Sequence, residues 1–463
     1  MLLPHGAGHS RRVGTISGAS GLSSDQLLGP HGELPAAIAL PGPASEARLR
    51  IDCPPAHPRS RMIGDICLER LRLSRECREE YRRFLGIGNR TLVLFSSTWG
   101  PSSAYSTYPD LPRQLHHSLP ADDFAVAFVP HPNIEAEHRG PLPQLHQPYF
   151  ANGLFMPQPE EGWRALLLAS DVVIGDHGSV SVYAAALDKP VGFAAFGFDE
   201  ITPYEPLSDI GNHALSFDPY GDVQTQVERI IDAHHSGQYR QWTEQIMAEP
   251  DIAPSQALRD LVYELVDVPP PKRQWAPALL SNPAPAEGYR PTSAWIGDID
   301  IQGTDVTWHR YPVAHHRNDT PTSPHAHTIT DLSTRRPEWR SASVLLRHHE
   351  VMARWEAEAE LERIFSTYPL CAAASVRLGP NETIIGTPRR VSLRAGKSDR
   401  PGNRLIAVAS SGSFTDTALS MVASAIYWWQ RTRDWNEFPD ELTFRRGEAR
   451  CRVTLAQTDS SLR

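Results

Sequence analysis

A polar turn interrupts the apolar stretch SDVVIGDHGSVSVYAAALDKPVGF at residues 170–193. The turn and the residues that follow it include Asp176, His177, Gly178, Ser179 and Ser181. Apolar residues before the turn predict a buried strand, and those after it recur at helical spacing. Glycine lets a ligand approach the backbone, and the first N–H groups of a helix lack intrahelical acceptors, so this turn could bind a phosphate or a diphosphate. The alternative is a simple helix cap, in which Asp176 or Ser179 accepts those N–H groups.

Two further predicted strands end in residues that can contact phosphate. In LFSSTWGPSS, residues 94–103, the hydroxyl groups of Ser97 and Thr98 precede Gly100 and offer a second phosphate-facing loop. In FVPHP, His131 directly follows a strand, where an imidazole can contact phosphate or transfer a proton near neutral pH. A purely structural histidine is the alternative at this position.

Strands alternate with helices from about residue 61, which predicts crossover connections and a parallel sheet. The predicted strands are RTLVLFSS, DFAVAFVPHP, DVVIGD, KPVGFAAF and HALSF, and the predicted helices include DICLERLRLSRECREEYRRFLGI, GWRALLLAS and SVSVYAAALD. We therefore expect an α/β fold with a Rossmann-like, doubly wound parallel sheet. Because parallel strands place their carboxyl ends at one edge of the sheet, the three polar turns should lie together.

Changes in composition divide the chain into four segments, 1–60, 61–267, 268–291 and 292–463. The first is rich in Gly, Pro, Ser and Ala and is not a complete domain. The second contains the predicted Rossmann-like sheet, and the third is a proline-rich stretch that predicts an extended linker. In the fourth, strands accompany two helices near 343–366 and 414–434, which favours a separate α+β domain of unknown role.

Composition limits the partners and the location of this 463-residue chain. Its formal net charge of -9 argues against general nucleic-acid binding, which requires a basic surface to neutralise phosphates. The apolar runs are too short to span a membrane, which leaves peripheral membrane contact open. Five cysteines without a CxxC pair are typical of reduced thiols, so we expect a cytoplasmic location.

The polar turns, together with LPHGAGHSRR at the start of the chain, resemble a known signature. The CDP-glycerol glycerophosphotransferases that polymerise teichoic acids have a GT-B fold and carry an HGTPLK-like loop, a PTW loop, an HP dipeptide and a DYSS turn. The matching elements here are His5-Gly6, Ser97-Thr98-Trp99, His131-Pro132 and Asp176-His177-Gly178-Ser179, in the same order over residues 1–220. Ser10 stands in place of the family's lysine, with Arg11 beside it. Nucleotide-sugar glycosyltransferases and UDP-N-acetylglucosamine 2-epimerases, which are also GT-B proteins, fit the pattern almost equally well.

The resemblance implies transfer of a glycosyl or glycerophosphate group from a nucleotide-diphosphate donor to a polyol, sugar or cell-envelope acceptor, without a metal or other cofactor. It assigns catalytic roles to His5, as the base that deprotonates the acceptor, and to His131, which stabilises the donor phosphate. The donor-binding residues that it implies are Ser97, Thr98, Gly100, Asp176, His177, Gly178, Ser179 and Ser181. Residues 1–60 would then be the tail of a truncated N-terminal GT-B domain. The alternative is a non-catalytic, nucleotide-binding Rossmann-like module fused to an α+β interaction domain.

Overall fold

The chain forms two compact units in a computed structural model. The first unit comprises Met1–His116, Asp123–Phe150 and Leu154–Tyr289, and the second comprises His117–Asp122, Ala151–Gly153 and Arg290–Arg463. The structure describes residues 1–4, 6–12, 18–134, 142–158, 161–202, 205–272, 276–313, 325–333, 337–388, 404–410, 414–434 and 437–457. The predicted base His5 therefore lies outside the described residues.

A parallel five-stranded sheet is the centre of the first unit. Two short strands, β1 (Ile38–Leu40) and β2 (Ser60–Met62), form a separate parallel pair. The five strands of the main sheet are β3 (Thr91–Ser97), β4 (Phe124–Pro130), β5 (Val172–Gly175), β6 (Val191–Phe193) and β7 (Leu215–Ser216). They lie in the order β4-β3-β5-β6-β7, and every neighbouring pair is parallel. The prediction of a parallel α/β sheet is thus confirmed.

Helices connect the strands of this unit. Those between the start of the chain and residue 289 are α1 (Ser24–Leu27), α2 (Pro43–Asp52), α3 (Ile66–Leu73), α4 (Arg78–Phe84), α5 (Ala104–Thr107), α6 (Leu111–Ser118), α7 (Leu142–Leu145), α8 (Gln147–Phe150), α9 (Gly162–Ala169), α10 (Ser179–Ala186), α11 (Pro206–His213), α12 (Val223–Asp232), α13 (Arg240–Ile246) and α14 (Pro254–Leu265). Helix α9 packs against β3 and α10 against β5, which buries the apolar strands on a helical layer.

The single long helix predicted for DICLERLRLSRECREEYRRFLGI is wrong. Helices α3 and α4 are separated by a 3-10 turn at Arg75–Cys77. The break follows Ser74, whose buried hydroxyl accepts a hydrogen bond from the N–H of Leu280 at 3.0 Å. This contact joins residues that are far apart in sequence, so the helical periodicity of the segment does not reveal it.

The strand order contains a switch point between β3 and β5. The chain passes from β3 to β4 on one side and then crosses to β5 on the other side of β3. Connections that leave two neighbouring strands in opposite directions open a crevice at the carboxyl ends of those strands. In open α/β sheets, this crevice is where ligands bind.

The second unit is a closed nine-stranded barrel. Its strands are β8 (Ala294–Gln302), β9 (Asp305–Pro312), β10 (His327–Asp331), β11 (Val344–Arg347), β12 (Ala373–Gly379), β13 (Glu382–Gly386), β14 (Arg404–Ala409), β15 (Glu441–Arg446) and β16 (Ala449–Gln457). Around the barrel they follow the order β10-β11-β12-β13-β14-β16-β15-β9-β8. The unit also contains helices α15 (Arg354–Thr367) and α16 (Thr415–Thr432).

Helix α16 is the core element of the barrel. Twelve of its 18 residues are buried, and it packs against β8, β11, β12, β13, β14 and β16. A helix that is apolar on most of its surface is stable only when its side chains are buried, and these six strands bury those of α16. Within the described part of the chain, no helix combines the length and the apolar character that a membrane span requires.

The helix predicted near 343–366 is wrong in its first part. Val344, Leu345 and Leu346 belong to β11 and are at most 1% exposed. Strand β11 pairs with β10 and with β12, both in parallel, so its short apolar run is buried as a central strand. A short apolar run does not by itself distinguish a buried strand from a helix, and here pairing with distant strands decides the outcome.

Candidate functional site

The candidate site lies at the carboxyl ends of β3, β5 and β6. We call this region the rim and define it as residues 97–103, 176–179 and 194–202. Ser97 ends β3 and Asp176 directly follows β5, so both residues lie at the switch point between these strands. The polar turns that follow β3 and β5 therefore lie together at one edge of the sheet, as expected from the sequence.

Asp176 joins the two loops on either side of the switch point. Its side chain accepts hydrogen bonds from the Ser97 hydroxyl at 2.9 Å and from the N–H of Thr98 at 3.0 Å. It also accepts from the N–H groups of Ala104 at 2.8 Å and Gly178 at 3.0 Å. The residue is 1% exposed, and these protein donors use its carboxylate oxygens. Asp176 therefore positions both loops, and its predicted contact with a donor phosphate stays a prediction.

His177 connects the β5 loop to the loop after β6. Its Nδ1 accepts a hydrogen bond from the N–H of Gly197 at 3.0 Å, so the ring carries its proton on Nε2. Nε2 lies 3.2 Å from Glu200 Oε2 and donates to it. The other carboxylate oxygen of Glu200 accepts from the N–H of Ser102 at 2.8 Å. The His177 imidazole and the Glu200 carboxylate thus link the loops that follow β3, β5 and β6.

Helix α10 begins at the rim, and its N-terminus has no side-chain cap among the described residues. Gly178 is the N-cap residue, and no described side chain caps the helix there. The hydroxyl of Ser179 accepts from the N–H of Ala7 at 3.3 Å. Ser181 is buried, and its Oγ has no hydrogen-bond partner within the part of the chain that the structure describes. The positive end of the helix dipole is therefore available to an anion.

Arg11 and Trp99 lie beside these loops and were not predicted as site residues. The Arg11 guanidinium carbon is 3.5 Å from the centroid of the Trp99 ring, which is a cation–π stack. Its Nη2 donates to the Trp99 carbonyl at 3.3 Å and is 3.7 Å from Glu200 Oε2. A sequence signal existed for Arg11, because it follows the position where the resembling family has a lysine. Glu200 has no such signal.

Gly100 has a backbone conformation that favours glycine and lies close to the side chains of Arg11 and Glu200. Its φ is +104°, a region that residues with a side chain rarely adopt. A Cβ at this position would lie 2.9 Å from Arg11 Nη2 and 2.9 Å from Glu200 Oε2. A side chain at position 100 would therefore collide with this ion pair, and the predicted phosphate-binding role of Gly100 stays a prediction.

The N-terminal segment 6–12 lies along the rim. The N–H of Thr202 donates to the Ser10 carbonyl at 2.8 Å, and the N–H of Arg12 donates to the Glu200 carbonyl at 2.9 Å. Gly6, which follows His5 in the sequence, lies so close to α10 that an added Cβ would be 2.6 Å from Ser179 Oγ. The segment that resembles the HGTPLK-like loop is thus brought to the N-terminus of α10.

His131 follows β4, next to the β3 loop. Its ring centroid is 6.3 Å from that of Trp99. Nδ1 accepts from the N–H of Asn133 at 3.1 Å, so a neutral ring carries its proton on Nε2. His131 is therefore oriented by its own loop. Among the described residues, no group of three or more His, Cys, Asp or Glu side chains could hold a metal ion.

Comparison with known proteins gives similarity only at the level of solved structures. No protein family model and no curated protein matches the chain. The chain is similar to the wall teichoic acid polymerase TagF at 16% identity and a TM-score of 0.41, over 57% of this chain and 67% of that chain. It is similar to Anabaena HepE in complex with UDP and glucose at 16% identity and a TM-score of 0.29, over 51% and 64% of the two chains. For the Methanocaldococcus jannaschii UDP-GlcNAc 2-epimerase in complex with UDP-GlcNAc and UDP, the identity is 13%, the TM-score 0.35 and the coverage 49% and 61%.

Proposed function

We propose that this chain is a GT-B-type transferase whose rim binds the diphosphate of a nucleotide-activated donor. The transferred group is a glycosyl or glycerophosphate group, and the acceptor is a polyol, a sugar or a cell-envelope polymer. The observation that supports the proposal most directly is the contact of Asp176 with both Ser97 and Thr98. This contact joins the loops on either side of the switch point of the sheet, the place where α/β proteins bind nucleotides.

The N-terminus of α10 is the proposed anion contact. Its first N–H groups carry partial positive charge, and no described side chain caps them at Gly178. The hydroxyl groups of Thr98 and Ser179 add donors of a kind that phosphate oxygens accept. Asp176 does not repel the ligand as a bare carboxylate would, because its oxygens already accept hydrogen bonds from four protein donors. The proposed site thus offers hydrogen-bond donors to a diphosphate.

The proposed reaction needs a proton acceptor and stabilisation of a leaving phosphate. An acceptor hydroxyl attacks the donor carbon or phosphorus, the bond to the nucleotide phosphate breaks, and the hydroxyl proton passes to a base. By resemblance to the teichoic acid polymerases, we assign the base to His5. His131 Nε2 donates to the donor phosphate, while the N–H groups of α10 stabilise the charge that develops on the leaving group.

Calorimetric titration with CDP and with UDP tests the binding step. We expect Ser179→Trp to weaken nucleotide affinity at least about tenfold, because the indole would occupy the N-terminus of α10. Ser366→Trp is the control, since Ser366 is an exposed residue of the second unit, and it should leave the affinity unchanged. Failure of the wild-type chain to bind either nucleotide would contradict the proposal.

Product analysis tests the transfer step. CDP-glycerol and UDP-sugars are incubated with the chain and with polyol or sugar acceptors, and released nucleotide is identified by mass spectrometry. Release of CMP identifies glycerophosphate transfer, and release of UDP identifies glycosyl transfer. Binding of nucleotide without any acceptor-dependent release would favour the alternative, a non-catalytic nucleotide-binding module.

A further inference from the structure

Arg11 and Glu200 form an ion pair next to the N-terminus of α10. The Arg11 side chain is 30% exposed, whereas the Glu200 side chain is 14% exposed. The cation is therefore the more accessible of the two partners. Backbone contacts fix this arrangement, because the N–H of Arg12 donates to the carbonyl of Glu200.

The two partners are held with different strength. Glu200 accepts hydrogen bonds from Ser102 N–H at 2.8 Å and from His177 Nε2 at 3.2 Å. Its distance of 3.7 Å to Arg11 Nη2 is longer than a hydrogen bond. The Glu200 carboxylate is thus held by hydrogen bonds from the rim loops. Its interaction with Arg11 is a longer ion pair. An anion that makes short contacts with the guanidinium can replace it.

Trp99 limits how the guanidinium can move. The guanidinium lies 3.5 Å above the indole centroid, so this stack holds it against the β3 loop even when the partner of Nη2 changes. A planar guanidinium presents paired N–H groups that match two phosphate oxygens, which a lysine ammonium does not. The stack therefore presents a phosphate-binding group at a defined position.

We propose that Arg11 binds the phosphate groups of the donor and that Glu200 competes with them for Arg11. This inference rests on the proposed function of the rim. Glu200 weakens binding of every anion, and a diphosphate overcomes this competition better than a monophosphate because it carries more charge. The pair therefore sets both the affinity of the site and its preference for nucleoside diphosphates over nucleoside monophosphates.

Affinity measurements with inorganic pyrophosphate, CDP and CMP test this competition. We expect Glu200→Gln to tighten binding about two- to fivefold, the effect of removing one partly exposed charge partner. The gain should be larger for CMP than for CDP, so the preference for the diphosphate should fall. Arg11→Ala should weaken CDP binding by about tenfold or more, because it removes hydrogen bonds to a charged group.

A double-mutant cycle separates competition from other effects of Glu200. If Glu200 acts through Arg11, Glu200→Gln should give no gain in affinity when Arg11 is already alanine. Glu358→Gln is the matched control, since it also removes a carboxylate from beside an arginine, Arg354, but in the second unit. It should leave all three affinities unchanged.

Arg11→Lys provides a second measurement that leaves the contacts of Glu200 with Ser102 and His177 in place. It keeps the charge and removes the paired donors, so pyrophosphate affinity should fall severalfold with an unchanged melting temperature. Unchanged affinity in both Arg11→Lys and Glu200→Gln would overturn the inference. If Ser179→Trp still weakened nucleotide binding, the proposed function would stand. A wild-type chain that binds no nucleotide would overturn both.

Discussion

The carboxylate of Asp176 lies 2.9 Å from the hydroxyl of Ser97, although the two residues are 79 positions apart in the chain. This contact crosses the switch point between β3 and β5 and is buried. It links β3, the first strand of the sheet in chain order, to β5, where the chain crosses to the other side of β3. The shape of the rim therefore depends on one carboxylate that the ligand itself does not need to touch.

Asp176→Ala should destabilise the first unit and weaken nucleotide binding together. It leaves the N–H groups of Thr98 and Ala104 without this acceptor, at a cost of about 2–4 kcal/mol. Urea unfolding measures the stability, and calorimetric titration with CDP measures the affinity. Asp232→Ala, at the exposed end of α12, is the control and should change neither. Full stability of Asp176→Ala would contradict the positioning role.

Gly100→Ala should weaken nucleotide binding more than its backbone strain explains. The added Cβ would lie 2.9 Å from Arg11 Nη2 and from Glu200 Oε2 and would push the ion pair apart. Gly88→Ala is the matched control, because Gly88 also has a positive φ of +60° but no heavy atom within 4 Å of the added Cβ. We expect both variants to lose about 1–2 kcal/mol of stability from the left-handed backbone. Only Gly100→Ala should lose affinity, and equal affinities in the two variants would disprove the clash.

His146 should make the first unit sensitive to acid. The residue is buried among aromatic rings, and burial lowers its pKa to about 4 from the ordinary value of 6.5. The folded chain keeps the ring neutral while the unfolded chain takes up a proton below pH 6.5, so stability is present above this pH and is lost as pH falls toward 4. Between pH 7 and 5 the loss attributable to His146 is about 2 kcal/mol.

Urea unfolding at pH 7 and at pH 5 measures this effect. His146→Gln removes the titrating ring and keeps a polar partner for the Tyr105 hydroxyl, which lies 2.9 Å from His146 Nε2. The variant should lose less stability on acidification than the wild-type chain. His235→Gln, at an exposed site, should follow the wild-type pH dependence. Parallel curves for wild type and His146→Gln would contradict the assignment.

Asp122→Asn should destabilise the barrel unit. Asp122 accepts hydrogen bonds from Arg310 at 2.5 and 3.0 Å and from Trp308 Nε1 at 3.0 Å. Burial acts to raise its pKa, but the arginine outweighs this and holds the pKa below its ordinary value. Loss of the carboxylate leaves a buried guanidinium without its counter-charge, at a cost of about 3–5 kcal/mol. The melting temperature measures the change. Asp300→Asn, at an exposed position, is the control. Equal melting temperatures for the wild-type chain and Asp122→Asn would refute the prediction.

Local patterns were sufficient to predict the strands and turns of the α/β sheet. Apolar runs such as RTLVLFSS and DVVIGD are short, alternate with helical segments and end in polar turns, so they predict parallel strands. Parallel pairing then places the ends of these strands at one edge, which brought Ser97, Thr98 and Asp176 together as expected. This information is local in the chain, because it depends on residue type and on spacing within a few residues.

Contacts between distant residues decided the rest. The sequence by itself determined where strands end and which hydroxyl, amide and imidazole groups follow them, because period and turn chemistry are properties of neighbouring residues. Only the tertiary structure decided that Asp176 accepts from the β3 loop, that Arg11 stacks on Trp99 beside Glu200, and that nine strands form a closed barrel against which α16 packs. Ion pairs and strand registers depend on which surfaces come into contact when the chain folds. The spacing of residues within one segment does not specify those contacts.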